Sequence, residues 1–301
     1  MPRLIIHPGA PKTGTSTLQR FLHAHRDVLQ KRGIVVLTPA NFRRSPFMRA
    51  CRSATRGGKP MERAALDAFA AEFADVDTVL ISEEGFCSGF LLGGWNGPGG
   101  FERADLSAEV IANLPFDDIR AVLTVRQQRG FLVSSYVHRV KLHRERRGFR
   151  RWLDEAIAPD RLSWARVARA FETRLGEGRV ALLPFEIVKA EGAEAYVRAF
   201  FESAGLDGAG IDFTRVHAAN VSASHLAVVA SRAFNRIAWT KKGRSRMNAR
   251  LTRRFPADRF GGFRPSDPRL DALAELFAEE NEALARRCFP DHADAFLGGA
   301  R

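Results

Sequence analysis

Five short apolar runs, rich in Val, Ile and Leu, limit what this chain can fold into. The runs occupy residues 4–7, 35–37, 79–81, 121–125 and 180–183. Most of them lack the alternation of half-buried strands, so we interpret them as strands buried on both faces. Apolar residues at helical spacing occupy residues 16–29, 62–73, 162–175, 194–204, 224–239 and 270–288. Strands that alternate with helices predict a P-loop-like, three-layer α/β/α fold with a central, mostly parallel sheet.

The composition is that of a globular protein that attracts anions. Of the 301 residues, 45% are hydrophobic and 27% are charged, which excludes a disordered or fibrous chain. The formal net charge of +13 favours anionic ligands. Nucleotides, nucleic acid, polyanionic saccharides and an acidic membrane surface all fit a field of this sign.

The cysteines and the first residues bear on the compartment. Cys51, Cys87 and Cys288 are scattered and form no C-x-x-C pair, so we expect free thiols, a reducing compartment and no metal. The first residues lack the apolar core of a signal peptide, and no run approaches about 18 apolar residues. We therefore expect a cytoplasmic protein.

The segment between the first predicted strand and the first predicted helix has the position of a phosphate loop. It reads Gly9-Ala10-Pro11-Lys12-Thr13-Gly14-Thr15-Ser16-Thr17-Leu18. Glycines let a backbone approach an anion, the first N–H groups of a helix point at it, and a Lys with hydroxyls completes the cradle. Lys12 lies two residues before Gly14, whereas a Walker A motif has Lys directly after its last Gly. The order therefore weakens a nucleoside-triphosphatase interpretation.

A second anion-binding pair follows the fourth predicted strand. Arg126 comes directly after residues 121–125, and Ser134 lies eight positions later, on the next predicted helix. A forked cation and a hydroxyl donor suit a dianionic phosphate. A third landmark is the strand at residues 180–183 followed by Phe185-Glu186.

These three landmarks, in this order, resemble the sulfotransferases that use 3′-phosphoadenylyl sulfate (PAPS), and they cover about two thirds of the chain. The resemblance is to bacterial and carbohydrate-type members. It implies PAPS as co-substrate, 3′-phosphoadenosine-5′-phosphate (PAP) as product, and no metal. It implies that Lys12 contacts the bridging oxygen and stabilises the leaving phosphate. The nucleotide-binding residues that it implies are Pro11, Lys12, Thr13, Gly14, Thr15, Ser16, Thr17, Arg126 and Ser134.

The base that takes the acceptor's proton is left open by the sequence. The third predicted strand ends in Ser82-Glu83-Glu84, and related enzymes place a catalytic Glu after such a strand, which favours Glu84. Glu83 serves instead if the strand ends one residue earlier. His7, His138 and His143 are further candidates for the base.

The whole chain, residues 1–301, is expected to be one domain, with a donor-binding core at 1–190 and a mainly helical part at 191–301. The resemblance and the charge favour a saccharide or glycolipid acceptor, anionic in character. A membrane surface is a further candidate partner, and nucleic acid is not expected because no recognisable nucleic-acid motif occurs. The glycine-rich segment 89–100 is a candidate lid. Two other functions remain open, an ATP·Mg²⁺-dependent P-loop kinase or hydrolase and a non-catalytic basic protein that binds anions.

Overall fold

The computed structural model describes residues 2–10, 12–57, 59–90, 101–156, 159–216, 223–237 and 240–298. Its centre is one five-stranded sheet in the order β2-β3-β1-β4-β5, and every neighbouring pair is parallel. The strands are β1 Arg3–His7, β2 Ile34–Leu37, β3 Thr78–Ser82, β4 Ile119–Val125 and β5 Val180–Pro184. All five apolar runs therefore form strands, and the prediction of a central parallel sheet is confirmed.

The strands are apolar throughout because helices cover both faces of the sheet. Successive side chains of a strand point to opposite faces. Accordingly, Ile5 and Leu80 belong to one hydrophobic cluster, whereas Ile6 and Ile81 belong to the other, and all four have no exposed surface.

The helices form the two outer layers. On the face of Ile5 lie α1 Thr15–Ala24, α2 Arg26–Gln30, α9 Ile187–Ala190 and α10 Ala193–Ala204. The opposite face is covered by α3 Pro46–Ala54, α4 Arg63–Ala71, α5 Ala104–Ala112, α6 Gln128–Leu142, α7 Phe149–Ala156 and α8 Trp164–Leu175. The later helices are α11 His225–Ile237, α12 Lys241–Arg254, α13 Ala257–Phe260, α14 Pro268–Leu276, α15 Ala278–Cys288 and α16 Ala293–Gly298. Together, the sheet and its two helical layers confirm the three-layer α/β/α prediction.

Two predicted helices are interrupted. The helix expected over 16–29 breaks at His25, whose ring nitrogen Nδ1 lies 3.0 Å from the carbonyl oxygen of Phe21 and whose ring stacks on Phe21 at 4.1 Å. The helix expected over 270–288 breaks at Phe277, which is buried with a non-helical backbone at φ −100° and ψ 6°. Apolar spacing continues across both breaks, so a periodic pattern does not reveal them.

Two segments of the chain are rich in Arg and Lys, residues 139–151 and 241–254. The first spans the end of α6, a turn and the start of α7, and the second forms helix α12. Residues 91–100 of the candidate lid lie outside the described residues. In the ranges described above, none of the helices combines the length and the hydropathy needed to cross a lipid bilayer.

The strand order defines where a ligand can bind. The chain leaves β1 toward β2 on one side and leaves β4 toward β5 on the other, although β1 and β4 are neighbours. In open parallel sheets such a reversal opens a crevice at the carboxyl ends of the two strands. The segments that follow His7 and Val125 meet at this crevice.

Candidate functional site

The loop after β1 turns sharply at three residues with a left-handed backbone. Gly9, Lys12 and Gly14 have φ angles of 55°, 73° and 88°. Gly14 is the N-cap of α1, and a Cβ atom there would lie 2.7 Å from Cδ2 of Phe185. Position 14 therefore requires glycine for both its backbone and its space. Lys12 adopts the same left-handed backbone conformation, although it lacks the conformational freedom of glycine. Backbone strain of this kind is found at functional sites.

A buried chain of hydrogen bonds holds this loop from below. The hydroxyl of Tyr196 donates to the carbonyl of Thr13 at 3.3 Å and lies 3.4 Å from the hydroxyl of Thr124. The Thr124 hydroxyl is 2.7 Å from Nε2 of His7, and Nδ1 of the same ring is 2.8 Å from the hydroxyl of Ser82. Burial lowers the pKa of His7 to about 3. The imidazole of His7 is therefore neutral, and both of its ring nitrogens form hydrogen bonds.

The N-terminus of α1 is open to an anion. No hydrogen bond from a side chain of the described residues caps it, and its first turn contains no acidic residue. Thr15 and Thr17 are buried and Ser16 is half-buried, with Thr13 fully buried beside them and donating to the carbonyl of Ala10 at 2.6 Å. The unpaired N–H groups and the dipole at a helix start favour negative charge.

The two glutamates after β3 occupy different environments. Glu83 has no exposed surface, and both carboxylate oxygens accept from Nε of Arg43, at 3.0 and 3.1 Å. Burial raises the pKa of Glu83, and Arg43 acts against that rise. The side chain of Glu84 is 28% exposed and accepts a hydrogen bond from the hydroxyl of Thr15 in the loop between β1 and α1. Glu84 is therefore the carboxylate that touches the loop.

Arg126 joins the ends of β1 and β4. Its Nη1 donates to the carbonyl of Lys12 at 2.8 Å, and its guanidinium lies over the ring of Phe185 at 4.5 Å. Its Nε is buried and has no hydrogen-bond partner in the described parts of the chain. Burial lowers the pKa of Arg126, and Glu186 opposes this. A cation held this way has donor capacity left for a ligand.

One face of α6 looks toward the loop. A Cβ atom at Gly130 would lie 3.0 Å from Nε of Arg126, and Ser134 and His138 follow at four-residue spacing on the same face, with Ser134 half-buried. Burial, followed by the charge of Lys12, lowers the pKa of His138 to about 3. Ser134 is thus placed between Arg126 and the surroundings of Lys12.

The charge of Lys12 is set by these neighbours. Burial is the largest influence and lowers the pKa of Lys12; Glu84 raises it, and Arg126 and Lys141 lower it further. His143 is exposed, with its ring centroid 5.2 Å from that of His138, so it stands farther out on the same side. The site is a small, mostly cationic crevice with one carboxylate at the loop.

The segment after β5 closes the crevice. The carboxylate of Glu186 accepts from the backbone N–H of Gln127 at 3.0 Å, and burial raises its pKa to about 7.

Asn281 on α15 donates to the side-chain oxygens of Gln127 and Gln128 at 3.2 and 2.9 Å. The C-terminal helices thereby fix the start of α6.

The structure brings Lys12, Glu84 and Arg126 together with the threonines of the loop. Pro11, a predicted nucleotide-binding residue, lies outside the described residues. Two other polar residues of α6 have their own partners. Tyr136 is buried and donates to the carbonyl of Arg147, and Arg129 pairs with Asp271 at 2.7 Å.

Sequence reasoning missed Tyr196, Thr124 and the role of Phe185. Thr124 and Tyr196 belong to no motif, and their only signal is a polar hydroxyl within an apolar segment. Phe185 belongs to the third landmark, but the landmark does not show that its ring packs against Gly14 and Arg126.

The three thiols are free, with Cys51 and Cys87 buried and Cys288 half-buried. In the part of the chain that the structure describes, no group of three or more His, Cys, Asp or Glu side chains could hold a metal ion.

Comparisons with known proteins identify the fold. No protein-family model and no curated protein matches the sequence. A crystal structure of a sulfotransferase from Alicyclobacillus acidocaldarius aligns with a TM-score of 0.53 at 16% identity, over 97% of this chain and 98% of that chain. The mouse sulfotransferase SULT7A1, crystallised with PAP, aligns with a TM-score of 0.43 at 12% identity, over 95% of this chain and 85% of that chain. By the first of these alignments, the chain has the fold of a bacterial sulfotransferase.

Proposed function

We propose that this protein transfers the sulfuryl group of PAPS to a hydroxyl of a saccharide or glycolipid. One observation carries the proposal. At the crevice between β1 and β4, Arg126 binds the carbonyl of Lys12 while Glu84 accepts from Thr15. Two cations and one carboxylate thus meet at the open N-terminus of a helix, and transfer of a charged group requires that combination.

The donor would be held by the loop and by Arg126. The N–H groups from Thr13 to Ser16, with the hydroxyls of Ser16 and Thr17, are the proposed ligands of its 5′-phosphate, and Arg126 and Ser134 those of its 3′-phosphate. The hydroxyls of Thr13 and Thr15 instead donate to Ala10 and Glu84 and so shape the loop. The uncapped start of α1 and the unpartnered Nε of Arg126 both fit anionic groups. Lys12 is proposed to neutralise the charge that develops on the leaving phosphate.

Glu84 is the proposed general base. It is partly exposed, so an acceptor hydroxyl can reach it, and it contacts the loop that would hold the donor. In the transfer step the acceptor oxygen forms a bond to sulfur, the bond from sulfur to the phosphate oxygen breaks, and the acceptor proton passes to Glu84. Glu83 is proposed to position this segment through its ion pair with Arg43.

We further propose that residues 1–301 act as one domain. Tyr196 and Asn281 lie in the helical part that follows residue 190, and both make hydrogen bonds to the parts of the chain that build the crevice. Removing that part would leave the loop and the start of α6 without these contacts.

Titration calorimetry with PAP tests the donor site, with ATP·Mg²⁺ as the competing ligand. Each charge-assisted hydrogen bond contributes about 1.5–3 kcal/mol. Lys12→Ala and Arg126→Ala should therefore each weaken PAP binding by roughly 10- to 150-fold. Arg20→Ala, an exposed position on α1, is the matched control and should bind PAP like the wild type. Preference for ATP·Mg²⁺ would favour a kinase or hydrolase, and no nucleotide binding would favour a non-catalytic anion-binding protein.

A panel of neutral and anionic saccharides and glycolipids, incubated with labelled PAPS, tests the acceptor class. We expect transfer to a member of this panel and none to simple phenols. PAP binding without transfer to any saccharide or glycolipid would retain the donor site and overturn the acceptor assignment.

A further inference from the structure

Helix α12 presents a strongly cationic face to solvent. Seven of its fourteen residues are Lys or Arg and none is acidic. Its inner side is marked by Asn248, which is buried and donates to the carbonyl of Lys141 at 2.6 Å. At about 100° per residue, five exposed cations lie on the side opposite Asn248. These are Lys242, Arg246, Arg250, Arg253 and Arg254, and we call them the α12 face.

The cations at the centre of this face lack carboxylate partners among the described residues. Arg246, Arg250 and Arg253 form no ion pair with any acidic residue in the described ranges. Partial burial, followed by the charges of Arg146 and Arg244, lowers the pKa of Arg144. These three arginines are therefore close enough to influence one another, and they add positive charge at the edge of the α12 face. Exposed cations at this density create a positive potential that attracts a dense array of negative charge.

Exposed aliphatic side chains border the same helices. Leu142 at the end of α6 is 45% exposed, and Ile237 at the end of α11 is 67% exposed. Leu142 follows Lys141, whose carbonyl binds α12. Ile237 lies two residues after Asn235, which donates to the carbonyl of Val140 in α6 at 2.7 Å. Both apolar residues therefore lie close to the contacts that join α6, α11 and α12.

We propose that the α12 face docks on the surface of an anionic lipid bilayer. The cations project from the convex side of a surface helix, which suits a planar array of phosphate headgroups, whereas a single polyanionic chain is better held in a groove. Exposed aliphatic residues beside a basic face can enter the interfacial region. This inference stands independently of the proposed function. The Lys141 segment connects the face to the crevice, because Lys141 influences the pKa of Lys12.

Vesicle co-sedimentation of the full chain tests the proposal. Vesicles of phosphatidylcholine alone are compared with vesicles of equal parts phosphatidylcholine and phosphatidylglycerol. Each surface cation strengthens binding to an anionic membrane by about fivefold. The double variant Arg246→Gln/Arg250→Gln should therefore bind the anionic vesicles about 25-fold more weakly. The matched control is Arg166→Gln/Arg169→Gln, which removes two exposed arginines of α8.

The expected result is binding to the anionic vesicles only, weakened by the α12 variant and retained by the α8 control. Ile237→Ser should lower the remaining binding at high salt, where apolar insertion is not screened. Equal weakening by both double variants would show a general effect of net charge and overturn the proposal. Tighter binding to a soluble sulfated polysaccharide than to the vesicles would also overturn it. The same proteins are also titrated with PAP. This measurement distinguishes a failure of the membrane proposal from a failure of the proposed donor site.

Discussion

The neighbouring residues Glu83 and Glu84 provide a sharp test of the proposed chemistry, because Gln at either position keeps the size of the side chain and removes its charge. In Glu84→Gln the amide oxygen can still accept from Thr15. The free energy of unfolding should then change by less than about 0.5 kcal/mol, as for other partly exposed positions. Loss of a general base should lower the transfer rate by about 10²- to 10⁴-fold.

The second variant should show the opposite pattern. Glu83→Gln removes the charge that pairs with Arg43, whose single Nε–H is shared between the two carboxylate oxygens. A hydrogen bond to a charged group contributes about 1.5–3 kcal/mol. Two factors reduce this loss. Arg43 is 42% exposed, so solvent screens the pair, and burial raises the pKa of Glu83, so a neutral amide is easier to bury. A loss of about 1 kcal/mol remains, which lowers the melting temperature of a chain of this length by roughly 1–2 °C.

Thermal unfolding and transfer of labelled sulfate, measured on the same preparations, separate the two roles. We expect an inactive, stable Glu84→Gln protein and an active, less stable Glu83→Gln protein. An active Glu84→Gln variant beside an inactive Glu83→Gln variant of unchanged melting temperature would refute the assignment of the base. Both variants could also be inactive while they bind PAP like the wild type. In that case Glu84 keeps its assignment as the base only if Glu83→Gln also has a lower melting temperature.

Three further perturbations test the support of the site. Tyr196→Phe leaves the buried carbonyl of Thr13 without its donor, which should cost about 1–3 kcal/mol in thermal unfolding and weaken PAP binding; unchanged values in both would contradict the tethering role. Gly14→Ala places a Cβ atom 2.7 Å from Phe185 at a φ of 88°, so calorimetry should show weakened PAP binding, and wild-type affinity would count against the cradle geometry. Burial raises the pKa of Glu186 from 4.5 to about 7, so the native state holds a proton that the unfolded chain releases. Stability should fall as pH rises through that window, and denaturant unfolding of Glu186→Gln should show a flatter profile; equal slopes would refute it.

The positions of the strands and of the tight turn between β1 and α1 could be predicted from the sequence because both depend on local chemistry. A strand buried on both faces must be apolar at every position, and a loop that holds an anion at a helix start needs Gly, Lys and hydroxyls within a few residues. The spacing of Arg126 and Ser134 is likewise local, since a strand end and the following helix fix it.

The breaks at His25 and Phe277 could not be predicted because apolar periodicity runs through them. The two glutamates illustrate a second limit. Nothing in Ser82-Glu83-Glu84 tells which carboxylate accepts from Nε of Arg43 and which accepts from Thr15, because Arg43 is 40 residues from Glu83 and Thr15 is 69 residues from Glu84.

The sequence by itself therefore determined the layers of the fold, the loop and the sign of the charge in the crevice, since each follows from residue types at short range. Only the tertiary structure decided how these parts are held. It placed Tyr196 beneath the loop, engaged both nitrogens of His7, and turned Glu84 rather than Glu83 toward Thr15. These contacts join residues far apart in the chain, and their geometry depends on how the helices pack on the sheet.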